Sequence, residues 1–254
     1  MKLRVLGCGP SSGVPRIGND WGVCDPNDPR NRRTRCSILL ESAGQRLLVD
    51  CGPDLRQQLL TADLGTVDGV IVTHDHADHC HGIDDLRPIA ANRGEAIPLY
   101  GRQAVLDQLA ERFAYVFAGE ELYRPTVRAV PVENEMDWGA SRLRFADQPH
   151  GHIKSLGFRA DESGTSIVYA IDFNDMTPNM ATLYEGADVW ICAVTPATNH
   201  LTHANLDSVL GWASDLKAGR LILTNLDKRL DYATLASRLP DWAAPAYDGL
   251  ELSL

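Results

Sequence analysis

Short aliphatic and β-branched runs recur along the chain, most of them bounded by Gly, Asp or Pro. They lie at 3–6, 36–40, 46–49, 69–72, 143–145, 156–159, 166–170, 189–192 and 221–223. Runs of this length between turn formers read as strands, largely buried. Stretches with apolar residues at helical spacing lie at 84–92, 102–113, 206–216 and 232–238, although Pro88 weakens the first as a helix. Strands in two groups with helices between them predict an α/β architecture: two sheets packed together and covered by helices. No repeat or low-complexity linker interrupts the pattern, and 254 residues with 44% hydrophobic content can bury a substantial core. One domain over 1–254 is therefore expected.

Residues 10–35 depart from this rhythm, with Pro15, Pro26 and Pro29 and Gly13, Gly18 and Gly22 breaking any period. A loop this long in a compact enzyme is more often functional than idle. Beside the Gly-rich turn after the first strand, it can cover a site and offer backbone N–H groups to an anion, with Ser12 a candidate contact. It ends in Arg30, Arg32, Arg33 and Arg35. With Arg16 these are candidates to neutralise a phosphate, Arg33 and Arg35 above all, because guanidinium matches paired oxygens. The competing expectation is a solvated loop that balances Asp25 and Asp28.

Composition narrows the partners. The formal net charge is −10, which disfavours a nucleic-acid polymer but not a small anion met by local positive charge. Six scattered cysteines without a C-x-x-C pair fit reduced thiols. No apolar run approaches membrane-spanning length and no secretion signal is evident, so a cytoplasmic location without membrane association is expected.

The most chemically loaded stretch is His74-Asp75-His76-Ala77-Asp78-His79, just after Val70-Ile71-Val72, with three imidazoles and two carboxylates in six residues. Such donors suit zinc, manganese or iron. His74 and His76 fall on the same side of an extended chain, whereas Asp78 and His79 fall where the chain turns into a helix and can aim at a neighbouring point. One segment can thus serve two ions. Metals roughly 3.5–4 Å apart can share a hydroxide and clamp both the attacking and leaving oxygens of an ester.

This H-x-H-x-D-H pattern resembles the metallo-β-lactamase superfamily of hydrolases. Gly7-Cys8-Gly9-Pro10-Ser11-Ser12-Gly13-Val14-Pro15, His79-Cys80-His81-Gly82-Ile83-Asp84-Asp85-Leu86-Arg87 and Tyr247-Asp248-Gly249 are similar to the branch of phosphoribosyl 1,2-cyclic phosphate phosphodiesterases. The resemblance implies a four-layer αββα sandwich and two divalent ions, Zn2+ or Mn2+. It implies as metal ligands His74, His76, Asp78 and His79, then His150 in preference to His152, then Asp172 as the shared carboxylate in preference to Asp175. Where a last His is expected after 221–224, the chain has Asn225. Its amide oxygen is a poorer ligand for zinc and better tolerated by a harder ion such as manganese, and Asp227 is the alternative replacement. The second ion is expected to bind more weakly or to differ in identity. Relatives with a structural zinc build it from several Cys of the long loop and a later His; here Cys24 and Lys228 stand at those places, and no such zinc is expected.

The resemblance further implies catalytic roles for Asp78, which orients the hydroxide, and for His203, which approaches the substrate phosphate and assists the leaving oxygen; His200 is the weaker neighbour. The expected activity is metal-dependent hydrolysis of a small cyclic phosphodiester or nucleotide-like substrate, with a homodimer as a compatible assembly. The alternatives are a hydrolase of thioesters or lactones on the same fold, and a protein that binds a nucleotide or phosphosugar without turnover.

Overall fold

The structure, a computed structural model, describes residues 1–119, 121, 124–196 and 201–253; His200 lies outside the described residues. In chain order the strands are β1 (Lys2–Gly7), β2 (Ser37–Ser42), β3 (Gln45–Val49), β4 (Gly69–Ile71), β5 (Ile97–Gly101), β6 (Val127–Pro131), β7 (Glu135–Trp138), β8 (Ser141–His150), β9 (Ile153–Glu162), β10 (Thr165–Ala170), β11 (Val189–Ala193), β12 (Arg220–Thr224), β13 (Ala243–Pro245) and β14 (Glu251–Ser253). Among the described residues they form two seven-stranded sheets, ordered β14-β1-β2-β3-β4-β5-β6 and β13-β12-β11-β10-β9-β8-β7. Each sheet is antiparallel over one half and parallel over the other: β3 to β6 run parallel in the first, β10 to β13 in the second.

Side-chain alternation explains the layering. On β2 and β3, Ile38, Leu40, Leu47 and Val49 point into a core shared with Phe145, Phe158, Tyr169 and Ile191 of the other sheet. The residues between them, Leu39 and Leu48, face the opposite way, into a second cluster with helix residues such as Leu55, Leu59 and Leu106. On β10 the same alternation sends Ile167 and Tyr169 inward, and Val168 and Ala170 toward helix residues Met180, Val209 and Ala213. Strands apolar on both faces are what a helix–sheet–sheet–helix stack requires, and they give continuous rather than alternating hydrophobic runs. The expected αββα sandwich is the fold observed. Among the described residues no helix is long and apolar enough to cross a membrane.

The differences from the expected elements have local causes. β5 carries Pro98 within its run, and β6, β7, β13 and β14 are the edge strands of the two sheets. Edges are short and half exposed, so they lack the apolar signal of central strands. The helix expected at 84–92 is a 3-10 turn, Ile83–Leu86, followed by an α-helix, Arg87–Arg93. Pro88 sits in the first turn of that helix, where its missing N–H costs nothing. The helices Leu55–Thr61, Ala114–Ala118 and Pro178–Tyr184 are too short to show a period.

Candidate metal centre

The His74–His79 segment leaves the end of β4 and is fixed from beneath by one buried carboxylate. Asp50, the residue after β3, accepts hydrogen bonds from the Thr73 N–H at 2.8 Å and the Thr73 hydroxyl at 3.0 Å. Its Oδ2 also lies 2.7 Å from Nδ1 of His79. Thr73 Oγ1 is 3.0 Å from Nδ1 of His74, and the carbonyl of Thr202 is 2.8 Å from Nδ1 of His150. Three rings are thus anchored through Nδ1, which leaves Nε2 of each for the site. The one-turn helix Ala77–Cys80 begins after His76 and brings Asp78 beside His79. Backbone contact locks this turn down: Cys51 N–H donates to the His79 carbonyl at 2.8 Å, and a Cβ on Gly52 would lie 2.0 Å from the Asp78 carbonyl oxygen.

The free ring nitrogens converge on Asp172, which follows β10. Its Oδ2 lies 3.6 Å from Nε2 of His74, 3.4 Å from Nε2 of His79 and 3.7 Å from Nε2 of His150. Its Oδ1 accepts from the Asn225 amide at 3.2 Å and lies 3.7 Å from Nδ1 of His203. Donor atoms fall into two groups, each with all atoms within 4.8 Å of one another: His74, His76, His150 and Asp172, and Asp78, His79 and Asp172. His152 and Asp175 are exposed and stand in neither group. Asp227 accepts from the backbone N–H and side chain of Arg229, which leaves Asn225 as the residue against the shared carboxylate.

Electrostatics favour a cation here. Burial, reinforced by the neighbouring imidazoles, holds His74 well below its ordinary pKa, and it is neutral. Burial opposes ionisation of Asp172, but the charge and hydrogen bond of His79 outweigh it and keep the group a carboxylate far below the usual range. Burial likewise disfavours charge on His79, yet Asp50 and Asp172 on either side raise its pKa well above normal. Two buried carboxylates thus demand positive charge between them, which a divalent ion can supply. Nε2 of His74 is buried with no hydrogen-bond partner among the described residues, an expensive omission unless a ligand takes it. Asp172 is ionised and His74 neutral, as metal binding needs, and the positive charge that Asp50 and Asp172 draw onto His79 as a proton is one that an ion can supply in its place, so these residues fit divalent ions.

The cluster opens into a cavity of about 540 Å3 whose walls carry Ser12, Arg16, His203, Lys228 and Arg229. Lys228 and Arg16 both pair with Asp20. The structure does not bring Arg33 or Arg35 to this cavity, which corrects their expected place at the substrate. Arg33 is 2% exposed and donates to the carbonyls of Leu226, Asp227 and Leu230 at 3.1, 3.2 and 2.8 Å and to Asn31 Oδ1 at 2.9 Å. Arg35 pairs with Asp54 at 2.9 Å and donates to the Ser11 carbonyl at 3.0 Å. Their loop is a clamp on the backbone around the site. Arg30 pairs with Asp28, and Arg32 lies over the Trp21 ring.

A family model described as the beta-lactamase superfamily domain matches residues 45–224, more than half of the chain. The chain belongs to the metallo-β-lactamase superfamily. Within it, the structure is similar to that of a new diphosphatase from the PhnP family, with a TM-score of 0.90 and 31% identity over 99% of this chain and 96% of the other. The sequence is 30% identical over 257 residues to octanoyltransferase of Porphyromonas gingivalis, covering 99% of this chain and 51% of that protein. It is 29% identical over 136 residues to ribonuclease Z of a Bradyrhizobium species, covering 51% of this chain and 45% of that one. The chain spans about half the length of these curated relatives. The superfamily match takes in Asp50, the His74–His79 segment, His150, Asp172 and His203, and stops one residue short of Asn225.

Sequence reasoning missed Asp50, Lys228 and Arg229. Lys228 and Arg229 had a signal, since they follow Asn225 at the same strand edge that carries donor residues. Asp50 had only its position after an apolar strand, which any turn-forming Asp shares.

Proposed function

We propose that this protein is a metal-dependent phosphodiesterase acting on a small phosphorylated substrate. The observation that carries the proposal is the pairing, across one cavity, of the donor cluster with a wall bearing Arg16, Lys228, Arg229 and His203. His74, His76, His150 and Asp172 would hold one divalent ion and Asp78, His79 and Asp172 another, whatever the metal. Such ions supply Lewis acidity and a strong nucleophile at neutral pH.

The chain's own groups divide the remaining work. Asp78 is only partly buried; burial pushes its pKa up, but His79, with Nε2 at 3.3 Å, outweighs this and keeps it ionised. It therefore accepts a hydrogen bond from, and orients, the attacking water. His203 stands on the other side of Asp172 and reaches the cavity, placed to give a proton to the departing alkoxide. Arg16, Lys228 and Arg229 share two carboxylates, Asp20 and Asp227, so three cations against two anions leave positive charge to balance what builds on the phosphoryl oxygens. Ser12 offers a hydroxyl on the wall formed by the long loop.

The diphosphatase relative supports phosphate chemistry, being similar over almost the full length of both chains. The octanoyltransferase name belongs to a protein of which this chain covers 51%, and a cationic wall gives no advantage to an uncharged acyl group. With −10 net charge and Arg16, Lys228 and Arg229 gathered on the cavity wall, a small phosphodiester fits better than a polymer. The test loads the protein with Mn2+ or Zn2+ and compares bis(p-nitrophenyl) phosphate and ribose cyclic phosphates with acyl thioesters and lactones. Turnover of the phosphodiesters, lost in His203→Ala, is the expected result. Turnover of the acyl substrates alone sinks the reading.

A further inference from the structure

The two donor groups are not equivalent. The first has four side chains, three of them imidazoles; the second has three, one of which is the shared Asp172. Against the carboxylate that both groups share lies Asn225, whose amide nitrogen donates to Oδ1 of Asp172 at 3.2 Å. That oxygen is the one turned away from the His74, His79 and His150 nitrogens, which all approach Oδ2. An N–H and a cation compete for the same oxygen. With Oδ1 engaged by Asn225, both donor groups are left to Oδ2, which His79 of the second group approaches as closely as His74 and His150 of the first; the ion with fewer other ligands loses more by this sharing, and Asn225 is itself a neutral, weak donor.

We propose that the centre is asymmetric: one ion held tightly by His74, His76, His150 and Asp172, and one held loosely by Asp78, His79 and Asp172, with Asn225 acting as a hydrogen-bond donor to Asp172 and not as a ligand. The inference rests on the reading of the cluster as a metal centre but not on any substrate. It assigns Asn225 the control of occupancy. A loosely held ion joins and leaves with the surrounding concentration, so the fully loaded form is populated only when metal is plentiful. The oxygen-rich character of Asp78 and Asp172 favours Mn2+ over Zn2+ at this second position.

The experiment reads metal, not turnover. The intact protein is saturated with Mn2+, desalted and analysed for metal per chain, and the depleted protein is titrated calorimetrically with Mn2+ and with Zn2+. The parent is expected to retain about one ion and to bind the second with a dissociation constant at least about 10-fold larger, the low end of what altered support of a ligand causes. Asn225→His supplies an imidazole, and His is among the residues that tolerate the left-handed backbone at this position, φ 59°. It should retain two ions. Asn225→Ala removes the competing N–H and should bind the second ion no more weakly than the parent. Two ions retained by the parent overturn the proposal, as does weaker second-ion binding in Asn225→Ala, which would make Asn225 a ligand. No ion bound by the parent would remove the metal centre itself. Two ions bound unequally with no phosphodiester turnover would leave this inference standing while the proposed activity fell.

Discussion

Arg33→Met separates two accounts of the arginine-rich loop. The parent side chain is 2% exposed, and among the described residues no carboxylate lies within ion-pairing distance. Its charge is satisfied by the carbonyls of Leu226, Asp227 and Leu230 and by Asn31 Oδ1. Two of these bonds, to Leu226 and Asn31, are fully enclosed, and an acceptor left unmatched in such a place costs about 1–3 kcal/mol. The others, including a longer bond from Nε to the Arg30 carbonyl at 3.4 Å, sit where water can replace the guanidinium, at about 0.5–1.5 kcal/mol each. Removing a buried charge without an anionic partner returns part of this cost. The net loss should be about 3 kcal/mol. For a chain of this size that is a fall in Tm of about 6–12 °C. Arg33→Lys keeps the charge but not the fork, so it should recover only part of the loss. Differential scanning calorimetry with and without metal, alongside phosphodiester kinetics, decides the matter. A Tm within about 1 °C of the parent with a steep drop in kcat/KM would refute the clamp and return Arg33 to the substrate.

Three further outcomes follow from the same geometry. Asp50→Asn keeps the shape beneath Thr73 and His79 but removes the charge on His79 Nδ1; metal affinity, read by chelator competition, should fall about 10–100-fold, and an unchanged affinity would show that His79 needs no such support. Gly52→Ala places a Cβ 2.0 Å from the Asp78 carbonyl, so the turn carrying Asp78 and His79 must shift at a cost of about 1–3 kcal/mol, seen as a lower Tm together with weaker metal binding; a normal metal titration would argue against this coupling. Burial pushes Asp231 up, but hydrogen bonds from the N–H groups of Thr234 and Asp25 and from Asn31 hold its pKa down to about 2. A folded-state pKa below the ordinary value gives stability that is present above about pH 4 and lost as pH falls toward 2. The stability gap between the parent and Asp231→Asn, followed by urea unfolding, should therefore narrow across that window, and a gap independent of pH would show that the carboxylate contributes nothing through its charge.

What was legible in the chain was whatever is local. β2, β3 and β10 are apolar on both faces, and their runs stand out because two layers of core require it. His74, His76, Asp78 and His79 lie within six residues, so their convergence needs little help from the rest of the fold. Long-range relations were not legible. Asp50 meets Thr73 and His79 across 23 and 29 residues, and nothing near Asp50 distinguishes it from a turn. Arg33 and Arg35 misled for a related reason: a cluster of guanidinium groups signals many acceptors, but not whether these belong to a ligand or to the protein's own backbone. Arg33 finds carbonyls of 226–230, almost 200 residues away in sequence. The edge strands escaped because exposure on one side erases the pattern that marks a centre strand.

Donors at the site come from both sheets, and this decides how precise the site can be. Asp50 and the His74–His79 segment leave β3 and β4 of one sheet; His150, Asp172 and Asn225 leave β8, β10 and β12 of the other. Three of these exits share a device: Asp50, Asp172 and Asn225 have left-handed backbones, with φ of 63°, 49° and 59°. Asp and Asn tolerate this conformation better than most residues, and it turns the chain sharply as the strand ends. Carboxylate and amide groups are thereby presented over the rim of the sheets while the residues before them stay in the core. The separation of the two donor sets is then set by the apolar layer that Val49, Ile71, Leu156 and Ile171 help to fill. Close-packed cores resist small displacements, so the same packing that holds the sheets together holds the Nε2 atoms of His74, His79 and His150 near Asp172. The polar cluster, costly to bury alone, is positioned by hydrophobic contacts that could not themselves bind anything.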